Sequence, residues 1–359
     1  MMMTSQGSAM PSAAFITGDY ALQAPVPEPN GCAYYRLALP SRELQKLGWD
    51  TAMGLPRVHP ERGIGVAHDD GAFFGFDVSV FKLLMHETVP QLMRLMQQRN
   101  EKVVVDIDDF HFGLDPENIA SRQTDPNKNA ENNRMFFEMG IRQADLVITS
   151  TAFLADFYEA RCRRVRLVRN ALDVDRYSMV DQIERPVFGW VGGTLWRSRD
   201  IEMLRHWLPA FVDEHKIGVH HSGHIPNDTR HFGVRAGLRR VQTVPMSLVS
   251  QYPSLLRHFH VGLVPLRLND FNQSKSYLKG LEYAAAGIPF IATPSEEYRI
   301  LYSRGVGRLA STPDEWRDHA TELLDPEVRR DEAERQRGIV EREFNINTRG
   351  PEWDSALRS

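Results

Sequence analysis

Short apolar runs alternate with helix-length segments along most of this 359-residue chain. Such alternation is typical of parallel sheets built from βαβ units. In the first half it predicts strands at 13–17, 78–83, 102–106, 145–149 and 165–168, and helices at 34–47, 87–99, 131–142 and 152–160. Pro40 is expected to kink or divide the first helix, because proline lacks the N–H that a helix interior needs. The polar stretch 107–129 is predicted to be a long loop, which in a compact domain is usually functional or mobile.

The pattern breaks near residue 180. The stretch 170–184 carries charges without a clear period, and Pro186 precedes a new apolar run. Beyond the break the pattern predicts strands at 187–191, 219–222, 240–244, 261–264 and 290–292, and helices at 200–214, 247–258, 274–286, 296–303, 313–324 and 326–344. We therefore predict two doubly wound α/β domains that face each other across a cleft, where ligands bind beyond the carboxyl ends of the strands.

Composition and charge narrow the class of protein. Hydrophobic residues make up 42% and charged residues 25%, ordinary values for a globular protein with a core in each domain. The net charge of −4 gives no general basic field, so nucleic acid is not the expected partner, although a local basic groove stays open. Cys32 and Cys162 lie far apart without metal-ligand spacing, which indicates reduced thiols in a cytoplasmic protein.

Targeting signals are not evident in the sequence. Residues 1–12 lack both the basic and the apolar region of a signal peptide, and we expect them to form a disordered tail. No apolar run approaches the roughly 20 residues that span a bilayer, so no transmembrane segment is predicted. Peripheral contact with a membrane stays open.

The segment 271–289 carries the most specific pattern in the chain. It follows the predicted strand 261–264, with Ser274 as the expected N-cap of a helix and Gly287 as its stop. This helix would begin at the carboxyl end of a strand, where free N–H groups and the helix dipole bind a diphosphate. We therefore take Asn272 and Ser274, at this end, as candidate residues for binding that diphosphate.

Three charged residues share one face of this predicted helix. Lys275, Lys279 and Glu282 stand at positions i, i+4 and i+7, apart from an apolar stripe that would face the core. The lysines could neutralise a diphosphate, and the carboxylate could accept hydrogen bonds from a ribose diol. The same residues could instead decorate a surface helix with a weak Lys279–Glu282 ion pair, and the pattern alone favours neither interpretation.

A glycine-rich turn follows the predicted strand 187–191. Gly192 and Gly193 would let the backbone approach a phosphate, with Thr194 next in the chain. Arg197 or Arg199, close behind, could clamp that phosphate.

Acidic side chains leave the end of the predicted strand 102–106 together, namely Asp106, Asp108 and Asp109, followed by His111. Three interpretations compete. The cluster could bind Mg²⁺ or Mn²⁺ through hard oxygen ligands, it could supply a general base or position an acceptor, or it could cap the loop through Asx turns. The histidine-rich segment 220–224 resembles a metal site only superficially, and we expect Gly223 to begin a cleft loop.

The segment 271–289 resembles the donor-binding motif of the GT-B glycosyltransferases of the "glycosyl transferases group 1" family. That motif reads E-x7-E-A-x-A-x-G-x-P, and Glu282 with the following Tyr-Ala-Ala-Ala-Gly-Ile-Pro resembles its second half. The first glutamate of the motif is Ser274 here, which leaves the sugar identity open. Some relatives instead read K-x-x-x-K-x-x-E-Y-x-A-x-G-x-P, as this chain does from Lys275.

The resemblance implies further roles. It implies that Glu282 holds the donor ribose, that Arg197 binds the donor pyrophosphate, and that Gly31 faces the donor phosphates and the acceptor. Val244 begins a segment that would contact the nucleobase. GT-B enzymes generally need no bound metal, so the acidic cluster is expected to act in the interdomain cleft through Asp108 or Asp109.

The predicted enzyme is therefore a GT-B glycosyltransferase that moves a sugar from a nucleotide diphosphate sugar to an acceptor, with retention and without a metal or other cofactor. The catalytic candidates are Lys275, Arg197, Asp108 and Asp109, and the donor-binding candidates are Gly31, Gly192, Gly193, Thr194, Val244, Asn272, Ser274, Lys279 and Glu282. The predicted domains are 13–180 for the acceptor and 181–340 for the donor, with 341–359 packing back on the first domain.

Three alternatives stay open. A GT-B nucleotide-sugar 2-epimerase would need acid–base carboxylates at the donor C2 and no separate acceptor. A non-catalytic sugar- or nucleotide-binding subunit would bind without turnover. A phage-type transferase acting on modified DNA bases is disfavoured by the acidic net charge. The sequence leaves open the sugar, the nucleobase, the acceptor and the oligomeric state.

Overall fold

The computed structural model describes residues 10–21, 28–59, 63–68, 75–82, 85–114, 118, 120–121, 133–225 and 232–359. Most of the expected N-terminal tail and part of the predicted loop 107–129 lie outside the described residues. So do the first two residues of the predicted helix 131–142 and the last residue of the predicted strand 78–83.

The first half of the chain builds one sheet. Its described strands are β1 (Ser12–Ile16), β2 (Tyr20–Ala21), β3 (Glu28–Pro29), β4 (Asp50–His59), β5 (Gly63–His68), β6 (Val78–Lys82), β7 (Lys102–Ile107), β8 (Leu146–Thr149) and β9 (Val165–Leu167). The sheet order is β5-β4-β1-β6-β7-β8-β9, and β2 pairs with β3 separately. Within the seven-stranded sheet the pairing is parallel except between β4 and β5, and the separate pair of β2 and β3 is antiparallel.

The strands β4 and β5 were not predicted. Gly54, Pro56 and Gly63 interrupt the apolar alternation there, and glycine and proline are depleted in strands. Pro56 is tolerated because β4 pairs with β1 only as far as Gly54. Beyond that point β4 pairs with β5 alone, at the edge of the sheet.

The first-half helices are α1 (Gly31–Ala33, continued by a π turn at Tyr34–Ala38 and by Leu39–Lys46), α2 (Thr88–Gln98), α3 (Asn133–Gln143) and α4 (Ala152–Glu159). The division predicted at Pro40 takes the form of the π turn. Pro40 falls in the first turn of the regular segment Leu39–Lys46, where a missing N–H costs least.

The second half builds a sheet of six parallel strands among the described residues. They are β10 (Val187–Val191), β11 (Gly218–His224), β12 (Gln242–Pro245), β13 (Val261–Val264), β14 (Phe290–Ala292) and β15 (Arg308–Leu309). Their order is β12-β11-β10-β13-β14-β15. The strands β10, β13 and β14 have the predicted limits. The strand β15 was not predicted because it is only two residues long.

The second-half helices are α5 (Ser198–Glu202), α6 (Leu208–His215), α7 (Phe232–Ala236), α8 (Tyr252–Leu255), α9 (Asp270–Gln273), α10 (Leu278–Ala285), α11 (Glu296–Ser303), α12 (Pro313–Glu322), α13 (Pro326–Glu343) and α14 (Ile346–Arg358). Short 3-10 turns lie at Val174–Arg176, Thr194–Trp196, Met203–His206 and Leu256–His258.

Two helices predicted as continuous are divided. The predicted helix 200–214 becomes α5, a 3-10 turn and α6, and the predicted helix 247–258 shrinks to α8 and a 3-10 turn. Pro209 stands in the first turn of α6, and Pro253 stands in the first turn of α8. Proline is accommodated at a helix start but not in its interior, so α6 begins anew after the 3-10 turn and α8 begins only at Tyr252.

The last helix returns to the first sheet. Trp353, Ala356 and Leu357 of α14 are buried in one cluster with Leu44 of α1 and with Trp49. The Trp49 indole N–H also donates to Asp354, at 2.6 Å. The end of the chain thus covers one face of the first sheet, whose opposite face is covered by α2, α3 and α4. No helix in the described ranges is both long and apolar enough to cross a membrane.

Candidate functional site

The carboxyl ends of strands from both sheets meet at one interdomain cleft. The hydrogen bonds that join them include Thr151 Oγ1 to the Ser274 carbonyl at 3.0 Å, Asn170 Nδ2 to Ser276 Oγ at 2.7 Å, and the Tyr35 hydroxyl to Glu282 at 2.6 Å. The segment 269–285 lies on the second-domain side of all three contacts. This is the edge where doubly wound sheets bind ligands.

Ser274 lies between two helices and does not cap the longer one. It is fully buried, and its hydroxyl donates to the Phe271 carbonyl at 2.7 Å, which closes α9. The helix α10 begins only at Leu278, with Tyr277 in its N-cap position. The predicted N-cap is therefore wrong, because residues 274–277 form a turn that the helical period did not reveal. With this hydroxyl turned inward, Ser274 offers the cleft no side-chain donor.

Lys275 extends from this turn toward the first domain. Its ammonium group forms an ion pair with Asp109 and lies 4.3 Å from the centroid of the Phe271 ring. The Lys275 and Asp109 side chains are 16% and 28% exposed, so the pair lies at the mouth of the cleft. An ion pair in contact with solvent is weak, and a more highly charged anion can therefore displace Asp109 from Lys275.

Arg197 converges on the same aromatic ring from another segment. Its guanidinium carbon lies 5.7 Å from the Phe271 centroid. One nitrogen donates to Asn272 Oδ1 at 2.8 Å and to Asp200 at 3.3 Å. Asn272 is 3% exposed and also donates to Asp200, at 2.6 Å. Asn272 therefore holds Arg197 in place, whereas the sequence suggested a direct contact with the donor.

The turn at Val191, Gly192 and Gly193 at the end of β10, called the Gly192 turn below, lies at this edge of the site. Gly192 has φ +138°, a conformation that favours glycine, whereas Gly193 has φ −79° and needs no glycine on that account. Lys279 donates a hydrogen bond to the Val191 carbonyl and so supports the turn from below. Burial lowers the pKa of Lys279 to about 8, while Glu282 opposes that shift. Lys279 thus contacts the backbone and adds positive charge from beneath the turn.

Glu282 is buried in a hydrogen-bonded group that contains three tyrosines, two of which bond to it directly. Its two carboxylate oxygens accept from the Tyr35 hydroxyl at 2.6 Å and from the Tyr252 hydroxyl at 2.7 Å. The Tyr35 and Tyr177 hydroxyls lie 2.9 Å apart. Burial raises the pKa of Glu282, and Lys279 and the two bonded tyrosines counteract the rise. The surface-helix interpretation is wrong for Glu282, which is 5% exposed.

The acidic cluster of the first domain is mostly neutralised within that domain. Asp106 is fully buried between Arg36, at 2.6 Å, and Lys82, at 3.5 Å. Asp108 pairs with Lys82 at 2.5 Å. Burial alone would raise the pKa of Asp108, but Lys82 outweighs burial and holds the pKa well below its usual range. Asp106 is therefore structural, and Asp109 is the carboxylate that reaches the other domain.

The remaining candidates lie around the cleft in different settings. Gly31 opens α1, with no atom within 4 Å of where a Cβ would stand. Thr194 is 1% exposed and starts a 3-10 turn after the glycines. Val244 is half-buried in β12 and packs against the cluster that also receives Tyr252.

The sequence analysis did not predict that Tyr35 and Tyr252 donate hydrogen bonds to Glu282. It also did not predict that Lys82 pairs with the acidic cluster. A lysine ending the otherwise apolar run Val-Ser-Val-Phe-Lys82 was the available signal, because a buried lysine requires an anionic partner. Tyr177 and Tyr252 carried no comparable local signal. Among the described residues, no group of three or more histidine, cysteine, aspartate or glutamate side chains could hold a metal ion.

Comparison with known proteins agrees with the resemblance. A family model described as "Glycosyl transferase-like" matches residues 197–354. No curated protein matches the sequence. Residues 197–354 are thus similar to this family, and the predicted enzyme class, a glycosyltransferase, is confirmed.

Solved structures share the whole fold at low sequence identity. Sucrose-phosphate synthase from Thermosynechococcus elongatus is 15% identical with a TM-score of 0.65, and the match covers 97% of this chain and 98% of that one. HepE of Anabaena, solved with UDP, is 14% identical with a TM-score of 0.63 over 97% of this chain and 100% of that one. A Listeria monocytogenes protein assigned as a UDP-N-acetylglucosamine 2-epimerase is 10% identical with a TM-score of 0.53, over 98% of this chain and 96% of that one. The fold is the predicted GT-B fold of two Rossmann-like domains.

Proposed function

We propose that this protein transfers a sugar from a nucleotide diphosphate sugar to an acceptor, with retention of the anomeric configuration and without a bound metal. The observation that carries the proposal is the convergence of Lys275 and Arg197 on the Phe271 ring, with Arg197 directly after the 3-10 turn that follows Gly193. Two cations from separate segments at the carboxyl edge of a parallel sheet fit a diphosphate.

The chemistry would rest on positioning and charge. As the bond to the anomeric carbon breaks, the leaving diphosphate gains negative charge, which Lys275 and Arg197 stabilise. Lys275 exchanges Asp109 for the diphosphate, and the buried Lys279 adds to the positive potential under the turn. Because these cations supply the counter-charge, no metal is required. Retention of the anomeric configuration is taken from the group resemblance, and it requires no nucleophile from the protein.

The ribose would lie against Glu282. A carboxylate oxygen can accept more than one hydrogen bond, so a ribose diol can share Glu282 with Tyr35 or Tyr252. The relative solved with UDP supports a uridine donor as the first to test. We also propose a cytoplasmic location, which Cys32 and Cys162 support as free thiols.

A screen of nucleotide sugars tests the donor. The correct donor raises the melting temperature by mass action, and EDTA leaves that shift and the turnover unchanged. The anomeric configuration of the product is then read by NMR. Loss of turnover in EDTA that Mn²⁺ or Mg²⁺ restores would contradict metal independence. Failure of every nucleotide diphosphate sugar to stabilise the protein would contradict the donor class.

A 2-epimerase is the second candidate, because the Listeria protein shares this fold. It would convert the donor alone to its C2 epimer and would need carboxylates at that carbon. Incubating the stabilising donor without acceptor separates the two functions. A new epimer peak by NMR would favour the epimerase, and transfer only upon addition of acceptor would favour the transferase.

A further inference from the structure

The end of strand β11 supports the Gly192 turn from the side. Strands β10 and β11 are parallel, with Val191 opposite Ser222. The Gly192 N–H donates to the Ser222 carbonyl at 2.8 Å, beyond the last paired position. The histidine-rich segment 220–224 therefore lies directly beside the glycine turn that the sequence predicts to approach a phosphate.

His221 bonds to the turn through one ring nitrogen. His221 Nε2 lies 2.9 Å from the Gly192 carbonyl oxygen, and because a carbonyl can only accept, Nε2 carries the proton. The ring is fully buried, with centroids 5.3 Å from Trp190 and 5.5 Å from Phe232. Burial lowers the pKa of His221 to about 4, so the neutral ring keeps this donor at neutral pH.

Gly223 lets the two backbones come together. It has φ +101°, and a Cβ there would stand 3.0 Å from both the carbonyl carbon and oxygen of Gly192. The pairing with β12 is irregular between Ser222 and His224, as expected for a bulge that redirects the chain. Any larger residue would push the Gly192 turn away from β11.

The neighbouring groups of the turn are held as well. The Val191 N–H donates to the Tyr283 hydroxyl at 3.2 Å, and the Val191 carbonyl accepts from Lys279. With both carbonyls of the Val191–Gly192 pair bonded to side chains, the peptide planes on either side of Gly192 cannot rotate freely. The direction of the next N–H, that of Gly193, is set by this arrangement.

We propose that His221 is a positioning residue, which fixes the Gly192 carbonyl so that the Gly193 N–H points to the donor diphosphate. The inference rests on the proposed function, and it gives a role to His221 within the histidine-rich segment 220–224. The competing explanation is that His221 only fills the core beside Trp190 and Phe232.

Two matched variants separate these explanations. His221→Phe keeps an aromatic ring against Trp190 and Phe232 but removes the N–H donor. His221→Gln keeps an amide N–H that can reach the Gly192 carbonyl but removes the ring. If His221 positions the turn, only His221→Phe should bind the diphosphate more weakly. If His221 only fills the core, His221→Gln should lose more binding than His221→Phe.

The first readout is the ratio of the dissociation constants of uridine and UDP, measured by calorimetry. The ratio isolates the diphosphate from general folding effects. We expect His221→Phe to lower this ratio roughly tenfold, the size of one lost hydrogen bond, and His221→Gln to keep it near the wild-type value. An unchanged ratio in His221→Phe, or an equal loss in both variants, would overturn the positioning role.

The second readout uses the ligand-free protein and does not depend on the proposed function. Amide hydrogen exchange of a peptide covering 190–195 should accelerate in His221→Phe and stay close to wild type in His221→Gln. Equal exchange in all three proteins would show that His221 does not hold the turn. If exchange behaves as expected but no nucleoside diphosphate binds wild type, the proposed function fails while the structural hold stands.

Discussion

The two edges of the cleft carry their charges in different ways. On the first-domain edge, Arg36 and Lys82 pair with Asp106 and Asp108 within their own domain, and Asp106 is fully buried. On the second-domain edge, Lys275 and Arg197 remain partly exposed and gather around Phe271. Charged side chains that pair within one domain stabilise its structure, whereas charged side chains that stay partly exposed at a cleft are available to a ligand.

Asp109 is the exception that joins the two edges. It belongs to the acidic cluster in sequence, yet it pairs with Lys275 of the other domain. In the proposed function the donor diphosphate takes the place of this carboxylate on Lys275. The comparison therefore predicts losses of stability on the first edge and losses of activity on the second.

The largest expected effect is on stability, at Asp106. Asp106→Asn leaves the buried Arg36 without its anionic partner, and breaking such a pair costs about 3–5 kcal/mol of unfolding free energy. Urea denaturation measures the loss. Asp156→Asn, an exposed change on α4, is the matched control and should stay within about 0.5 kcal/mol of wild type. A loss below about 1 kcal/mol for Asp106→Asn would show that the first edge is not held by this pair.

The second effect is on catalysis, at Lys275. Lys275→Ala removes a cation that strengthens its contact as the diphosphate leaves, so kcat should fall about 100-fold while the melting temperature barely changes. Steady-state kinetics with the stabilising donor measure this. Lys46→Ala, which removes a lysine whose side chain is 66% exposed, is the control. Normal kcat in a folded Lys275→Ala protein would remove the main support for the donor site.

The third effect is on donor binding, at Glu282. Glu282→Ala removes a charged acceptor, and the donor KM should rise at least about tenfold, with a smaller change in kcat. Glu296→Ala, an exposed acid on α11, is the control. Because Glu282 also binds Tyr35 and Tyr252, a melting curve must accompany the kinetics. A KM equal to that of wild type would place the ribose elsewhere.

The sequence predicted the second edge better than the first for a physical reason. The segment that we propose binds the donor is local, since Lys275, Lys279 and Glu282 lie within eight consecutive residues and Gly287 ends the helix soon after. A motif whose residues are close in sequence can be recognised without knowledge of the tertiary structure. Even so, the helical period placed the helix start at Ser274, because a turn between two short helices leaves the same i, i+4 spacing.

The contacts of the first edge depend on residues far apart in sequence. Arg36 meets Asp106 across 70 positions, and Tyr35 meets Glu282 across 247. No periodicity within a window of the sequence can reveal such partners. The general fold was predictable from alternating apolar runs, while the pairing that neutralises Asp106 and Asp108 required the structure.

The smallest expected effect on activity is a pH dependence at Lys279, where activity and stability should change in opposite directions. Burial lowers the pKa of Lys279 to about 8, so its positive charge under the Gly192 turn is present below that pH and is lost above it. Activity should therefore decline as pH rises through 8. In the unfolded chain lysine keeps its proton to about pH 10.4. Between these two values the unfolded state binds more protons, so the contribution of Lys279 to stability should rise with pH.

Two variants test this reversal. Lys279→Arg keeps a cation over the whole range and should show no activity decline near pH 8. Lys279→Met carries no charge, so subtracting its unfolding free energy from that of wild type isolates the stability term. Activity that falls in wild type while this difference rises would support the assignment. A difference that stays flat from about pH 7 to 10 would show that Lys279 titrates like an exposed lysine, and the carbon-13 shift of its ε-carbon would then give its pKa directly.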